Sequence, residues 1–324
     1  MLRLSLLQQH LRFSNMPELF WKLIAGVAGF LAVATVTGAI LAARPNGKSA
    51  TIVNLNERIR AWWGMVAVMA IAIGLGETAT YVVFALLSFL TLREFITLTP
   101  TTPSDHSTLF LAFFVAVPVQ YILLGINWYG MYSIFVPVHL FFAMSLVSAL
   151  TQDTRDFLSR NARINWALMV CVYGLSHAAA LLTLDVPGYR GQNALLLFYF
   201  LLVVQISDVL QYVVGKLFGK RKIAPVLSPS KTVEGFVGGG ALATLCGAAL
   251  CRITPFGFGA ALGMSFAIVL AGFIGGLVLS AVKRSLGAKD WGSMLAGHGG
   301  ILDRVDSICF AAPVFFHLVR FVYV

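Results

Sequence analysis

Residues 280 to 306 gather charged side chains in a chain that is 59% hydrophobic and only 11% charged. This segment, SAVKRSLGAKDWGSMLAGHGGILDRVD, contains four cations, one histidine and three acids: Lys283, Arg284, Lys289, Arg304, His298, Asp290, Asp303 and Asp306. Arginine and lysine neutralise phosphate oxygens, carboxylates hold divalent metals, and the paired glycines Gly299 and Gly300 let the backbone approach a ligand closely. The combination predicts a site for a polyphosphate together with a divalent metal.

A simpler interpretation of the cations is topological, because basic residues beside membrane spans usually serve to orient them. It does not account for the acids. Asp303 and Asp306 are three residues apart, so they share a face if the segment is helical. Ser280, Lys283 and Arg284 are spaced i, i+3 and i+4 and share a face in the same way.

A second polar segment lies at residues 207 to 235, SDVLQYVVGKLFGKRKIAPVLSPSKTVEG. Ser228, Lys231 and Thr232 are phosphate-binding residue types on a loop interrupted by proline, whereas the cations at 220 to 222 are as readily explained as a solvated positive cluster. Asp208 stands inside an apolar run, where a carboxylate is costly and marks a functional site by default. The alternative roles for Asp208 are a helix-packing hydrogen bond or a pair with Lys216.

The two segments together resemble the signature of the phosphatidate cytidylyltransferases, also called CDP-diacylglycerol synthases. In the first, the resemblance rests on Ser, two residues, Lys-Arg, four residues, Lys-Asp, then Gly-His-Gly-Gly, an apolar pair and Asp-Arg-x-Asp. In the second, an Asp precedes a Tyr and a Gly, and Ser-Pro-x-Lys-Thr-x-Glu-Gly follows. The chain departs from the family pattern at Ala296, where Pro is common, and at Gln211, where Ala is usual.

The resemblance implies transfer of CMP from CTP to the phosphate of phosphatidic acid, with release of pyrophosphate, for phospholipid synthesis. It implies Mg²⁺ as cofactor, with a second metal or a monovalent cation left open. The residues implied as catalytic are Asp290, Asp303, Lys289 and Asp208, and those implied as metal ligands are Asp290, Asp303, Asp306 and Asp208. Those implied in substrate binding are Ser228, Lys231, Thr232, Ser280, Lys283, Arg284, His298, Gly299, Gly300 and Arg304.

The expected partners are CTP, phosphatidic acid and membrane lipids, without nucleic acid, and a homodimer is left open. Two other functions are alternatives to this one. A CTP-dependent enzyme acting on another lipid phosphate or an isoprenoid lipid is compatible with the sequence. A polytopic transporter would also use an intramembrane Asp, but it would not require these polar groups at fixed spacing, and no inverted repeat is evident.

The rest of the chain predicts the framework for this site. With 324 residues and a mean hydropathy of +0.86, it is expected to be an all-α polytopic membrane protein of about nine to ten transmembrane helices around a cytoplasm-facing polar cavity. Ten apolar runs are candidates, at about 20–43, 61–76, 77–93, 108–126, 130–150, 165–184, 192–214, 236–252, 258–282 and 306–323. The short second and third runs suggest a tilted pair or a re-entrant unit.

Residues 1–190 form an N-terminal transmembrane region without a recognised motif, and residues 191–324 form the expected catalytic region. With the N-terminus outside, the cytoplasmic loops hold 17 of the 23 basic residues, which predicts a multi-pass protein of the bacterial inner membrane with its site facing the cytoplasm. The pairs Gly259/Gly263 and Gly272/Gly276 have the spacing of close helix packing. The first 15 residues suggest a helix on the membrane surface.

Overall fold

The computed structural model describes residues 18–44, 49–294 and 299–324. Its helices, in chain order, are α1 (Glu18–Ala42), α2 (Ala50–Leu75), α3 (Glu77–Leu98), α4 (Pro103–Gly125), α5 (Tyr129–Leu150), α6 (Phe157–Thr183), α7 (Asn193–Phe218), α8 (Gly235–Ala249), α9 (Phe258–Ser285) and α10 (Leu302–Tyr323). Two strands, β1 (Lys222–Ala224) and β2 (Ser228–Thr232), pair antiparallel between α7 and α8. The N-terminal surface helix predicted over the first 15 residues lies outside the described residues.

Within these described ranges, nine helices are long and apolar enough to cross a membrane, and α8 is the shorter exception. Large apolar side chains such as Phe30, Val33 and Phe142 are exposed on the outer surface of the bundle, as expected for faces that meet lipid. The prediction of an all-α polytopic membrane protein is confirmed, and the chain is an integral multi-pass protein.

The second and third apolar runs are longer helices than their apolar stretches indicated. The helix α2 has 26 residues and α3 has 22, because Arg58 and Arg60 continue the first and Arg93 and Glu94 continue the second. Each helix is long enough to cross a membrane by itself, so neither needs to be re-entrant.

Although α8 is short, it runs antiparallel to α7 and joins the two ends of the bundle. At its start, Gly239 packs against the backbone of Gln211, near the end of α7. Just beyond its end, the carbonyl oxygen of Ile253 accepts a hydrogen bond of 2.5 Å from the hydroxyl of Tyr189, which precedes α7. The helix α9 therefore returns to the end of the bundle at which α7 finishes.

Small residues let α9 and α10 pack closely. A Cβ atom added at Gly275 would lie 2.8 Å from the carbonyl oxygen of Asp306, and one at Gly272 would lie 3.4 Å from Cβ of Ser307. The prediction of close packing at Gly272 and Gly276 is confirmed. It is wrong for Gly259 and Gly263, because no other described group lies within 4 Å of a Cβ built at either position.

A buried ion cluster braces the loops at the same end of the bundle. The guanidinium of Arg160 lies 3.1 Å from Asp105 and 2.8 Å from Asp153, with Arg160 and Asp105 almost fully buried. Asp105 also accepts from the backbone N–H and the hydroxyl of Thr102. The loop after α3 is thereby fixed to the start of α6.

Candidate active site

Two acids from different helices meet at one hydroxyl group. Ser307 in α10 donates its hydroxyl to Asp208 of α7 at 3.2 Å, and its backbone N–H donates to the carboxylate of Asp306 at 2.8 Å. The α9 backbone comes close to this pair because Gly275 and Gly276 have no side chains. The carboxylates of Asp208 and Asp306, far apart in sequence, therefore lie close together, and their assignment to one functional site stays a prediction.

Lys231 is the cation of this acid pair. It comes from strand β2, its ammonium lies 4.7 Å from the centre of the Phe273 ring, and a Cβ at Gly276 would lie 2.8 Å from Nζ. Burial lowers the pKa of Lys231, while the charges of Asp306 and Asp208 act in the opposite direction. Beside Lys231 is a cavity of about 140 Å³ lined by Asp208, Gln211, Tyr212, Ser230, Lys231, Thr232, Phe236 and Phe273.

Asp303 organises the second part of the site. Its Oδ1 forms an ion pair of 2.6 Å with Lys283 of α9, and the two side chains are only 5% and 12% exposed. Its Oδ2 accepts from the backbone N–H groups of Trp291 and Gly300, at 2.8 and 2.9 Å. One carboxylate thus holds the end of α9, the segment after it and the start of α10 together.

Residue 299 must be a glycine because of its backbone conformation and because there is no room for a Cβ atom. Its φ of +79° lies in the left-handed region that residues with a Cβ rarely adopt. A Cβ there would lie 2.8 Å from Oδ2 of Asp303 and 3.2 Å from Cβ of Asp290. The absence of a side chain at Gly299 therefore lets Asp290 and Asp303 both lie close to this turn.

The four predicted metal ligands divide into two pairs, Asp208 with Asp306 and Asp290 with Asp303. Among the described residues, no group of three or more His, Cys, Asp or Glu is arranged to hold a metal ion. Both oxygens of Asp303 are engaged by Lys283 and backbone N–H groups. The carboxylates of Asp208 and Asp306, with the hydroxyl of Ser307, are oxygen donors of the kind that Mg²⁺ prefers, so this pair fits the ion and its binding stays a prediction.

The other predicted residues are more peripheral. The hydroxyl of Ser280 donates to the carbonyl of Gly276 at 2.6 Å, and that of Thr232 accepts from Gly235 N–H at 3.1 Å. Arg284 is exposed and donates to the carbonyls of Leu227 and Ala288, both at 3.3 Å. Ser228 begins β2, Lys289 is exposed, and His298 lies outside the described residues.

Glu234 closes the hairpin, a role that the sequence analysis did not assign. Its carboxylate accepts from the backbone N–H groups of Lys220 and Arg221, at 2.9 and 3.1 Å, and these bonds lower the pKa of Glu234. The side chains at 220 to 222 are largely exposed, as a solvated cluster would be. Lys216 lies over the Tyr212 ring, 5.8 Å from its centre.

Glu94 is a second residue that the sequence analysis missed. It is 6% exposed, and its two carboxylate oxygens accept from the backbone N–H groups of Ile301 and Leu302, each at 2.8 Å. The neighbouring Phe95 stacks on Trp291, with ring centres 4.9 Å apart. The available signal is an acid at the end of an apolar run, because Glu94 directly follows the predicted run at 77–93.

An apolar cavity of about 480 Å³ adjoins the site. Its walls come from α1, α2, α3, α7 and α10, through residues such as Val27, Met69, Leu202 and Ile308. Of its described lining residues, Gln205 and Arg304 alone have an amide or a charged side chain. Arg304 also interacts electrostatically with Asp208. This cation therefore lies near the Asp208–Asp306 acid pair and also lines the apolar cavity.

Comparison with known proteins gives a family match over most of the chain. The model of the cytidylyltransferase family matches residues 56–322. The uncharacterized protein YnbB of Escherichia coli K12 is 39% identical over 267 residues, which cover 82% of this chain and 87% of that protein.

Enzymes with an assigned activity match a shorter part of the chain. The phosphatidate cytidylyltransferase of Staphylococcus aureus strain COL is 40% identical over 127 residues, or 39% of this chain, and that of Staphylococcus saprophyticus is 41% identical over 127 residues. The chain spans about half the length of these two enzymes, 49% in each case. The family match covers most of the chain, and the chain therefore belongs to the cytidylyltransferase family.

Proposed function

We propose that this protein transfers CMP from CTP to the phosphate of phosphatidic acid, forming CDP-diacylglycerol and pyrophosphate. The observation that supports this most directly is the position of Arg304, between a cluster of cations and carboxylates and an apolar cavity. A nucleotide triphosphate needs the first environment, and the acyl chains of a lipid need the second. The names of the staphylococcal relatives agree with this acceptor.

The reaction requires no nucleophile from the protein. A phosphate oxygen of the lipid attacks the α-phosphorus of CTP, the bond from that phosphorus to the oxygen bridging to the β-phosphate breaks, and pyrophosphate leaves. Because an anionic acceptor must approach an anionic triphosphate, the protein's main contribution is fixed positive charge. Lys231, Lys283 and Arg304 provide it at the site, and Arg284 lies at its edge.

Mg²⁺ would be held by Asp208 and Asp306, and when bound it would supply charge neutralisation for the phosphates. The protein's own residues position the substrates. Lys231 approaches the acid pair from the hairpin and is therefore placed to contact a phosphate that shares the cavity. Lys283 is already paired with Asp303, so its role would be to hold the turn at Gly299 in place through this ion pair and to add positive charge near the triphosphate of CTP.

The apolar cavity would take part of the diacylglycerol moiety. It is lined by Ile301 and Arg304 at the start of α10 and by residues of α7 from Phe198 to Gln205. A lipid phosphate at Arg304 would thus direct an acyl chain into the bundle. A different lipid phosphate is the second candidate acceptor, since Gln211, at a position where the family usually has Ala, lines the polar cavity and can alter its selectivity.

The test is an assay of purified protein in detergent with labelled CTP, Mg²⁺ and a panel of lipid phosphates. We expect CDP-diacylglycerol from phosphatidic acid, and we expect chelation of Mg²⁺ to abolish its formation. Folded protein that forms no nucleotide-lipid product with any acceptor would refute the proposal. A product with another lipid phosphate alone would reassign the acceptor.

The cavity can be tested in the same assay. Leu202→Trp would fill part of it and should raise KM for the lipid with little effect on KM for CTP. Leu217→Trp is the matched control, because Leu217 lies on the same helix but is 70% exposed on the outer surface. Equal effects of the two changes on the lipid KM would argue against the cavity as an acyl-chain site.

A further inference from the structure

We propose that Glu94, from the half of the chain without a recognised motif, is a positioning residue of the site: its carboxylate fixes the first turn of α10 and, through it, Asp303 and Asp306. The inference rests on the proposed function only where it concerns turnover. It rests otherwise on the hydrogen bonds of Glu94 with the backbone of Ile301 and Leu302 and on its closeness to Gly292 and Gly300.

The N-terminus of α10 has no side-chain cap from its own N-cap residue. The first N–H groups of a helix have no acceptor within the helix, and a side-chain oxygen at the N-cap usually supplies one. Here the N-cap is Ile301, which has no such oxygen. Glu94 supplies acceptors for two of these N–H groups, one oxygen to Ile301 and the other to Leu302, across more than 200 residues of sequence.

The carboxylate of Glu94 lies at the N-terminus of α10. A carboxylate at a helix N-terminus is stabilised by the helix dipole and by charge-assisted hydrogen bonds. Glu94 is almost fully buried, so these bonds are shielded from water. The side chain therefore fixes the direction of the first turn of α10 and does more than fill space there.

Glu94 also lies beside two glycines of the segment between α9 and α10. A Cβ at Gly300 would lie 2.5 Å from one oxygen of Glu94, and a Cβ at Gly292 would lie 3.0 Å from the other. The carboxylate thus occupies the space that side chains at both positions would need. The lack of a side chain at Gly300, the last glycine of the Gly-His-Gly-Gly element, is therefore explained by the space that Glu94 occupies and does not require a bound ligand.

The same helix fixes the segment a second time. Phe95, the next residue of α3, stacks on Trp291, whose backbone N–H donates to Asp303. Asp303 in turn pairs with Lys283. Two consecutive residues of α3 therefore contact the segment between α9 and α10 and the helix start that follows it: Phe95 packs on Trp291, and Glu94 binds the backbone at the start of α10.

Glu94→Gln is the sharpest test, because it keeps the shape and removes the charge. An amide nitrogen cannot accept a hydrogen bond, so either Ile301 or Leu302 loses its acceptor. We expect amide hydrogen exchange in peptides covering residues 299 to 306 to quicken by about 10- to 100-fold, as the loss of one bond to a charged group implies. We expect kcat/KM for CTP, per folded protein, to fall by a similar factor of about 10 to 100.

Glu77→Gln is the matched control, since Glu77 is exposed at the opposite end of the same helix. It should leave exchange at 299 to 306 and the kinetics unchanged. If Glu94→Gln does not yield folded protein, Glu94→Asp, which shortens the reach by one methylene, is to be measured in the same way.

Unchanged exchange at residues 299 to 306 in Glu94→Gln would overturn the proposal. Faster exchange with an unaltered kcat/KM would also overturn it, because Glu94 would then be a helix cap without effect on the site. If the wild-type protein forms no CDP-diacylglycerol, the proposed function fails, and exchange in the variant still decides whether Glu94 holds α10.

Discussion

Replacing Asp303 by Asn should damage both the stability and the activity of the protein. The carboxylate forms an ion pair of 2.6 Å with Lys283 and accepts two backbone hydrogen bonds. Removing one partner of a buried ion pair costs about 3–5 kcal/mol. Asn keeps one acceptor oxygen and Lys283 retains 12% exposure, so we expect a smaller loss of about 2–3 kcal/mol.

The assay combines thermal unfolding in detergent with CMP transfer measured well below the unfolding temperature. If the same 2–3 kcal/mol is lost from the transition state, the rate falls roughly 30- to 150-fold. Asp185→Asn is the control, because its ion pair with Arg190 is exposed on both sides and should contribute little. The melting temperature and the rate should barely change in that variant.

A double variant sharpens the comparison. Lys283→Met combined with Asp303→Asn removes both charges, so it should unfold at a higher temperature than Asp303→Asn alone, which leaves a buried cation without its partner. The reasoning is refuted if Asp303→Asn melts and turns over like the wild type. It is refuted equally if the double variant is the less stable of the two.

Two further predictions concern charge and orientation. Burial lowers the pKa of Lys231, and its positive charge is lost as pH rises through that pKa, so kcat/KM should begin to fall at a lower pH than an ordinary lysine would give. Lys231→Arg should lower the rate but remove this decline at alkaline pH. If the variant has the same pH profile as the wild type, Lys231 is not the cause of the decline. Cysteines introduced at Ser230 and Ser293 should be labelled only from the cytoplasmic side, as the distribution of basic residues predicts; labelling of both from outside intact cells would reverse the orientation.

The sequence predicted the architecture well because apolar length alone identifies helices that can cross a membrane. The two short polar segments also contain the residues of α7, the hairpin, α9 and α10 that lie near one another in the structure, while their roles in binding and catalysis stay predictions. What the sequence analysis missed depends on contacts between distant parts of the chain. Sequence spacing does not predict that Glu94 accepts hydrogen bonds from the N–H groups of residues 301 and 302. It also does not predict that the acids form two pairs. Both are determined by packing between helices.

The same limit applies to the extent of the second and third helices. Arg58, Arg60 and Arg93 interrupt the apolar pattern without interrupting the helix, because long basic side chains at helix ends can extend their charge towards water. The division of the chain at residue 190 describes where recognised motifs lie and stays a prediction. The contacts of α10 with α3 cross that boundary.

The pairing of Glu94 with α10 has a consequence for the order in which the protein assembles. During synthesis α3 enters the membrane more than 200 residues before the N–H groups of residues 301 and 302 exist. A nascent chain that ends before Ile301 contains the buried acid without the donors that it bonds in the finished protein. The helix α10, which is made long after α3, therefore completes an early part of the site. Expressing the two halves as separate fragments would leave an unmatched carboxylate in one and an uncapped helix in the other.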